Sequence, residues 1–265
     1  MRKYWAVVKH CFRIQLVYRA EVALNALEII GRMLFARLLW GAVFAGRESV
    51  GGFTLPAMLF YYVLSSFLSS IDISGGVSGE ISARIRDGTF SQFMVVPTNT
   101  QAHFITQNLG TSAFYALFTG LVAGFCALIF KAELLFSPDI AAIICALLMI
   151  AFGLVFMVCY HFFIGILTFK FQDIGFFLHL QMAVLEFVTG GVIPLVLLPE
   201  SVIQALRFLP FTHVVYTPVM LLIGRTSLAE GLWSLAVLAA WTAAMAAISR
   251  FVFNRLRIKY DGVGI

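Results

Sequence analysis

From Ile140 to Thr168 the chain carries no Asp, Glu, Lys or Arg. Such a stretch exceeds the ~20 apolar residues that cross ~30 Å of hydrocarbon, and in lipid its backbone can satisfy itself only as a helix. Five other segments are mostly apolar over a comparable length. The sequence therefore predicts an all-α membrane protein with six spans, at about 22–45, 54–72, 103–130, 140–168, 174–192 and 232–253. Composition agrees, with 61% hydrophobic and 12% charged residues and a mean hydropathy of +0.96. Soluble domains carry about 25% charged residues. The net charge of +5 then reflects the basic bias of cytoplasmic loops, with the lipid bilayer and not nucleic acid as the partner.

That bias also sets the orientation. Arg2, Lys3, Lys9, Arg13 and Arg19, the loop residues Arg84 and Arg86, Lys170, and Arg250, Arg255, Arg257 and Lys259 fall on one side of the predicted topology. Arg47, Lys131, Arg207 and Arg225 fall on the other. Both termini are expected in the cytoplasm, which for a bacterial chain means the inner membrane. Residues 4–18 read as an interfacial amphipathic helix, with Tyr4 and Trp5 on the apolar side. The start lacks a clean signal-peptide core and cleavage site. Cys11, Cys126, Cys145 and Cys159 form no CxxC pair and read as free thiols. The whole of 1–265 reads as one transmembrane domain.

The largest cytoplasmic piece joins spans two and three. Ser74, Gly75 and Gly76 break the second span. A short helix from Val77 then carries Glu80, Arg84 and Asp87 on one stripe and Val77, Ile81 and Ile85 on another. Gly88 stops it, Phe90, Phe93, Met94, Val95 and Val96 are expected on the membrane surface, and Pro97 ends that run. A helix tied to two spans in this way can act as a lever for a partner, or be an ordinary loop helix.

Between spans five and six, Pro194, Pro199, Pro210 and Pro218 forbid one continuous helix, and Gly190 and Gly191 loosen its start. Broken backbone at membrane depth must be buried in protein or line a cavity. Two short helices, roughly 200–208 and 214–223, are expected to dip into the membrane there, with His213 and Tyr216 available to hydrogen-bond carbonyls.

Charges also occur inside the predicted spans. Glu21, Asn25, Glu28 and Arg32 share one face of span one, and Glu28 precedes Arg32 by four. Each charge at that depth costs ~2.5–3.5 kcal/mol, so the stripe should face a partner chain or a polar path through the bundle. Arg37 lies on the opposite side. Glu186 in span five could pair with an arginine, meet a cationic substrate or be protonated. His161 and His179 are expected at the interface.

The stretch ISARIRDGTFSQFMVVPTN, together with TGGVIP…LP…LPF at 189–211, resembles the type-two ABC exporter permeases, in particular small members of about 260 residues that lack an ATPase domain. The resemblance covers nearly the full length. It implies a permease subunit served by two separate ATPase chains, which bind the ATP and Mg, and by a second permease chain, with a lean to a heterodimer. It also implies that Glu80, Ile81, Arg84, Ile85, Arg86, Asp87 and Gly88 couple to the ATPase. By the same resemblance Gly190, Gly191, Pro194, Pro199 and Pro210 help close the outer end of the path. No phosphate-binding loop, HExxH or GxSxG occurs, so this chain is not expected to be catalytic itself or to hold a metal. The alternative is a secondary transporter or channel that needs no ATPase.

Overall fold

The computed structural model describes residues 2–17, 19–95, 99–129, 139–171, 173–191 and 194–259. Among them the chain forms helices joined by turns and loops, with one isolated bridge between Val50 and Phe53. The expected end of the cytoplasmic run at Pro97, the loop residue Lys131 and the side chain of Glu21 lie outside the described residues.

The first helix, expected at the membrane interface, is α1, Arg2–Gln15. It leads into α2, Arg19–Val43, whose Ile29, Met33, Ala36 and Trp40 recur at helical spacing and are buried. α3, Leu55–Ile71, opens on a Thr54 cap, where the hydroxyl accepts a hydrogen bond from Ala57 N at 3.4 Å, and on Pro56 in the first turn. After a break at residues 72–74 follow α4, Gly75–Arg86, and α5, Ser91–Val95. α6 is Thr100–Ile129, α7 is Ile140–Ile166 and α8 is Thr168–Phe171. α9, Gly175–Val188, precedes α10, Glu200–Leu206, and α11, Tyr216–Leu222. α12, Leu228–Leu256, starts at a reciprocal Ser227–Glu230 capping box.

Four helical segments are long and apolar enough to cross a membrane: Leu55–Arg86, Thr100–Ile129, Ile140–Phe171 and Leu228–Leu256. Glu200–Leu206 and Phe211–Leu222, bent by 86°, would make a fifth if they count as one span. Two of the six expected spans behave differently. α2 has 25 residues, enough for about 37 Å, but Glu28, Arg32 and Arg37 interrupt its apolar character. α9 has 14 residues and reaches about 21 Å, short of the hydrocarbon thickness. The turn at Thr189 and Gly190 ends it before the expected limit at 192.

α7 is the central post and packs against α4, α6, α11 and α12. Small residues allow the approach. The Gly153 position lies 3.5 Å from Val214, and a β-carbon at Gly231 would meet Leu221 at 3.0 Å. α1 docks on α6 in the same manner. A β-carbon at Gly110 would sit 2.5 Å from the carbonyl oxygen of Val8, and Phe12 meets Phe114 edge-on at 5.5 Å. α1 is therefore clamped to the bundle on one side, while Trp5 remains exposed on the other.

Candidate functional site

Three sites cluster the residues singled out by sequence. The first is α4. Its apolar stripe is buried: Val77, Ile81 and Ile85 enter a cluster with Phe90, Phe104, Phe162, Ile166 and Phe253. Gly165 on α7 makes this possible, because a β-carbon there would lie 2.8 Å from Cβ of Ile81. Ser78 Oγ lies 3.3 Å from Nδ1 of His161. His161 is thus a buried tether and not the interfacial residue expected, whereas His179 is exposed.

The opposite side of α4 carries the charges. Arg84 pairs with Glu80 at 2.9 Å, and its guanidinium lies 5.3 Å from the Phe93 ring centre. Arg86 and Asp87 are exposed. Gly88, at φ +75°, turns the chain where L side chains are disfavoured. Ile81 and Ile85 hold the helix to its own bundle, so the surface open to a partner is Glu80, Arg84, Arg86, Asp87 and the Gly88 turn. Phe90, expected on the membrane surface, is fully buried, because Phe93 of α5, Phe169 of α8 and Phe253 of α12 close over it. Met94 and Val95 are exposed as expected. Cys11 on α1 belongs to the same neighbourhood. Its burial, and secondarily the Glu80 carboxylate, push the thiol above its ordinary pKa.

The second site lies midway along α2. Arg32 pairs with Glu28 at 2.9 Å and reaches across to Glu186 of α9 at 3.2 Å. Of the three readings open for Glu186, the structure places it in an ion pair. Asn25 donates to the Tyr115 hydroxyl at 3.3 Å. Asn25, Glu28 and Arg32 line a cleft of about 200 Å³ with Ser66, Ser69 and Ser70 of α3 and with Asp72 just after it. Around it α2 and α9 expose Leu24, Leu27, Phe35, Leu38, Phe176 and Phe177, and only Leu185 of α9 is buried. Arg37 is exposed on the far side of α2.

The third site is the turn at Gly190 and Gly191, which packs against α3 between Tyr61 and Ser69. Gly190 adopts φ +80°. The Tyr61 hydroxyl donates to its carbonyl at 2.7 Å, and Tyr216 N donates to Thr189 O at 3.0 Å. A β-carbon at Gly190 would meet Tyr216 at 3.0 Å, and one at Gly191 would meet Ser69 Oγ at 3.3 Å. Pro194 is buried, Pro199 is exposed at the head of α10, and Pro210 is buried before the 3₁₀ turn Phe211–His213. His213 Nε2 donates to Arg207 O at 2.9 Å, the carbonyl contact anticipated for it. Tyr216 contributes its backbone N–H there. A cavity of about 740 Å³ opens among α10, α11 and α12, where Arg207 stands 3.7 Å from Glu230. The loop after α2 closes over this region, with Arg225 donating to Gly52 O at 2.7 Å and lying 4.0 Å from the Phe53 ring centre. Sequence spacing carried no signal for the Tyr61, Arg225 or His161 contacts, which join distant positions.

The family model for ABC-2 family transporter proteins matches residues 30–264. The chain belongs to that family: it is a multi-pass membrane protein of the ABC permease class, which works with ATPase subunits. Comparison with curated proteins and with solved structures gave no match.

Proposed function

We propose that this chain is the membrane-spanning subunit of an ATP-driven exporter, energised by two separate ATPase chains that bind the ATP and Mg. The chain supplies no hydrolytic chemistry. It offers two shapes of a path and responds to closure of the ATPases. In this reading α2 and α9 are the first and fifth of six crossings, α10 and α11 are re-entrant, and both termini are cytoplasmic in a bacterial inner membrane. The α2–α9 face meets a second permease, identical or paralogous, across the path. Exposed ions midway along α2 support that placement, since lipid contact there would cost ~2.5–3.5 kcal/mol per charge.

One observation carries the reading. α4 is locked to α7 through Gly165–Ile81 and Ser78–His161 while it turns Glu80, Arg84, Arg86 and Asp87 outward. A force on that charged side passes into α3 and α7 without loss to a flexible joint. The hinge at Gly190 gives the far end a place to open.

The test is affinity purification of the tagged chain from its native membrane. Co-purification of a soluble ATPase, lost in Glu80→Ala with Arg84→Ala and Arg86→Ala while the chain still elutes as a folded species, is expected. A permease that purifies without any ATPase and still maintains a substrate gradient would defeat the proposal.

A further inference from the structure

Where α6 begins and α12 ends, two adjoining cavities of about 530 and 280 Å³ share Asn99, Gln101, Arg250 and Asn254. Arg257 completes the rim of the smaller one. Arg250, Asn254 and Arg257 recur at i, i+4 and i+7, so they form one stripe along the last turns of α12. Neither lining contains a carboxylate, and neither arginine joins an ion pair among the described residues. Two guanidinium groups without a carboxylate partner among the described residues, one of them lying 5.5 Å from the Phe253 ring centre, make with the amides of Asn99 and Asn254 a multi-donor site for a tetrahedral oxyanion.

The walls change character along the helices. Arg250 lies about 9 Å before the end of α12. Deeper in the bundle the larger cavity is walled by Ile105 of α6 and by Ala246 and Ala247 of α12, while Phe251, 60% exposed, lines it beside Arg250. Gln101 donates to Ser249 at 2.8 Å and to Ala246 O at 3.3 Å, which fixes the floor of the groove between the two helices. Both helices therefore pass from polar to apolar in the same direction, from the bundle end inward. A free anion would use only the polar mouth. A molecule with an anionic head and an acyl tail uses both parts.

We propose that this groove binds an anionic phospholipid, with its phosphate held between Arg250 and Arg257 and an acyl chain lying along Ile105 and Phe251. Basic grooves between spanning helices suit such headgroups. The site is independent of which ATPase or cargo the chain serves, and it would tie the start of α6, just after α4, to lipid composition.

The test titrates the purified, delipidated full-length chain with dioleoyl phosphatidylglycerol and dioleoyl phosphatidylcholine, read by native mass spectrometry. Phosphatidylglycerol is expected to bind about tenfold tighter or more, which is about 1.4 kcal/mol. Arg250→Gln with Arg257→Gln should remove that preference and leave phosphatidylcholine binding unchanged. Arg47→Gln, an exposed cation of the loop between α2 and α3 that lines neither cavity, should keep it. Equal affinity of the wild-type chain for the two lipids overturns the proposal without recourse to any variant, so misfolding of the double variant cannot shield it. Full displacement of phosphatidylglycerol by millimolar inorganic phosphate would also overturn it, by marking a soluble-anion site.

Discussion

The same sequence pattern, Glu-x-x-x-Arg, appears twice and closes to the same 2.9 Å, as Glu80–Arg84 on α4 and Glu28–Arg32 on α2. On α4 the pair sits on a half-exposed face, and the opposite face of the helix is packed to contact against Gly165. On α2 the pair stands mid-helix among exposed leucines and recruits a third charge, Glu186, from another helix. Spacing by four makes the pair in both places. What surrounds it decides whether the pair is a surface feature of little energetic weight or a knot that keeps charge tolerable at membrane depth.

The contrast breaks most readily at Gly165. Gly165→Val should force α4 off α7, with an overpacking cost of about 1–3 kcal/mol, seen as a lowered Tm and loss of ATPase co-purification. An unchanged Tm would mean that α4 is not locked. Arg32→Leu comes next. It leaves Glu28 and Glu186 facing each other uncompensated and should lower stability by roughly 2.5–3.5 kcal/mol, the cost of a lone charge in a span. Adding Glu28→Gln and Glu186→Gln to it should restore most of the loss in thermal unfolding. If the triple variant is no better than the single one, the knot is not electrostatic.

Tyr61→Phe should cost about 1–3 kcal/mol by orphaning the buried Gly190 carbonyl, and should increase protease cutting near 190–199. Glu80→Ala with Arg84→Ala should change Tm by less than the equivalent of about 1 kcal/mol, in contrast to Arg32→Leu, although ATPase binding is lost. The smallest effect concerns Cys11. Its raised pKa delays thiolate formation as pH rises, so iodoacetamide at pH 8 should react more slowly than with an ordinary thiol. Glu80→Gln removes one raising influence and should speed that reaction slightly.

Much of the architecture was legible. The helices at α3, α6, α7 and α12 announced themselves by uninterrupted apolar runs, and α10 and α11 by prolines that leave no other choice. The stripes of α4 followed from periodicity, as did the Glu28–Arg32 pair. Less legible were α9, whose apolar composition runs on past the turn at Gly190, and Phe90 and His161. Their types suit an interface, yet the meeting of α4, α7 and α12 buries them.

The amino-acid order alone therefore determined that this chain must be helical in lipid, where prolines forbid a continuous helix, and which charges lie one turn apart. These are local matters of hydrogen bonding, proline geometry and helical pitch. Tertiary structure decided which face of each helix is covered. Only packing brings Glu186 to Arg32, Tyr61 to Gly190 and Arg250 beside Asn99, because each contact depends on how separate rods align, and no spacing along one rod encodes that.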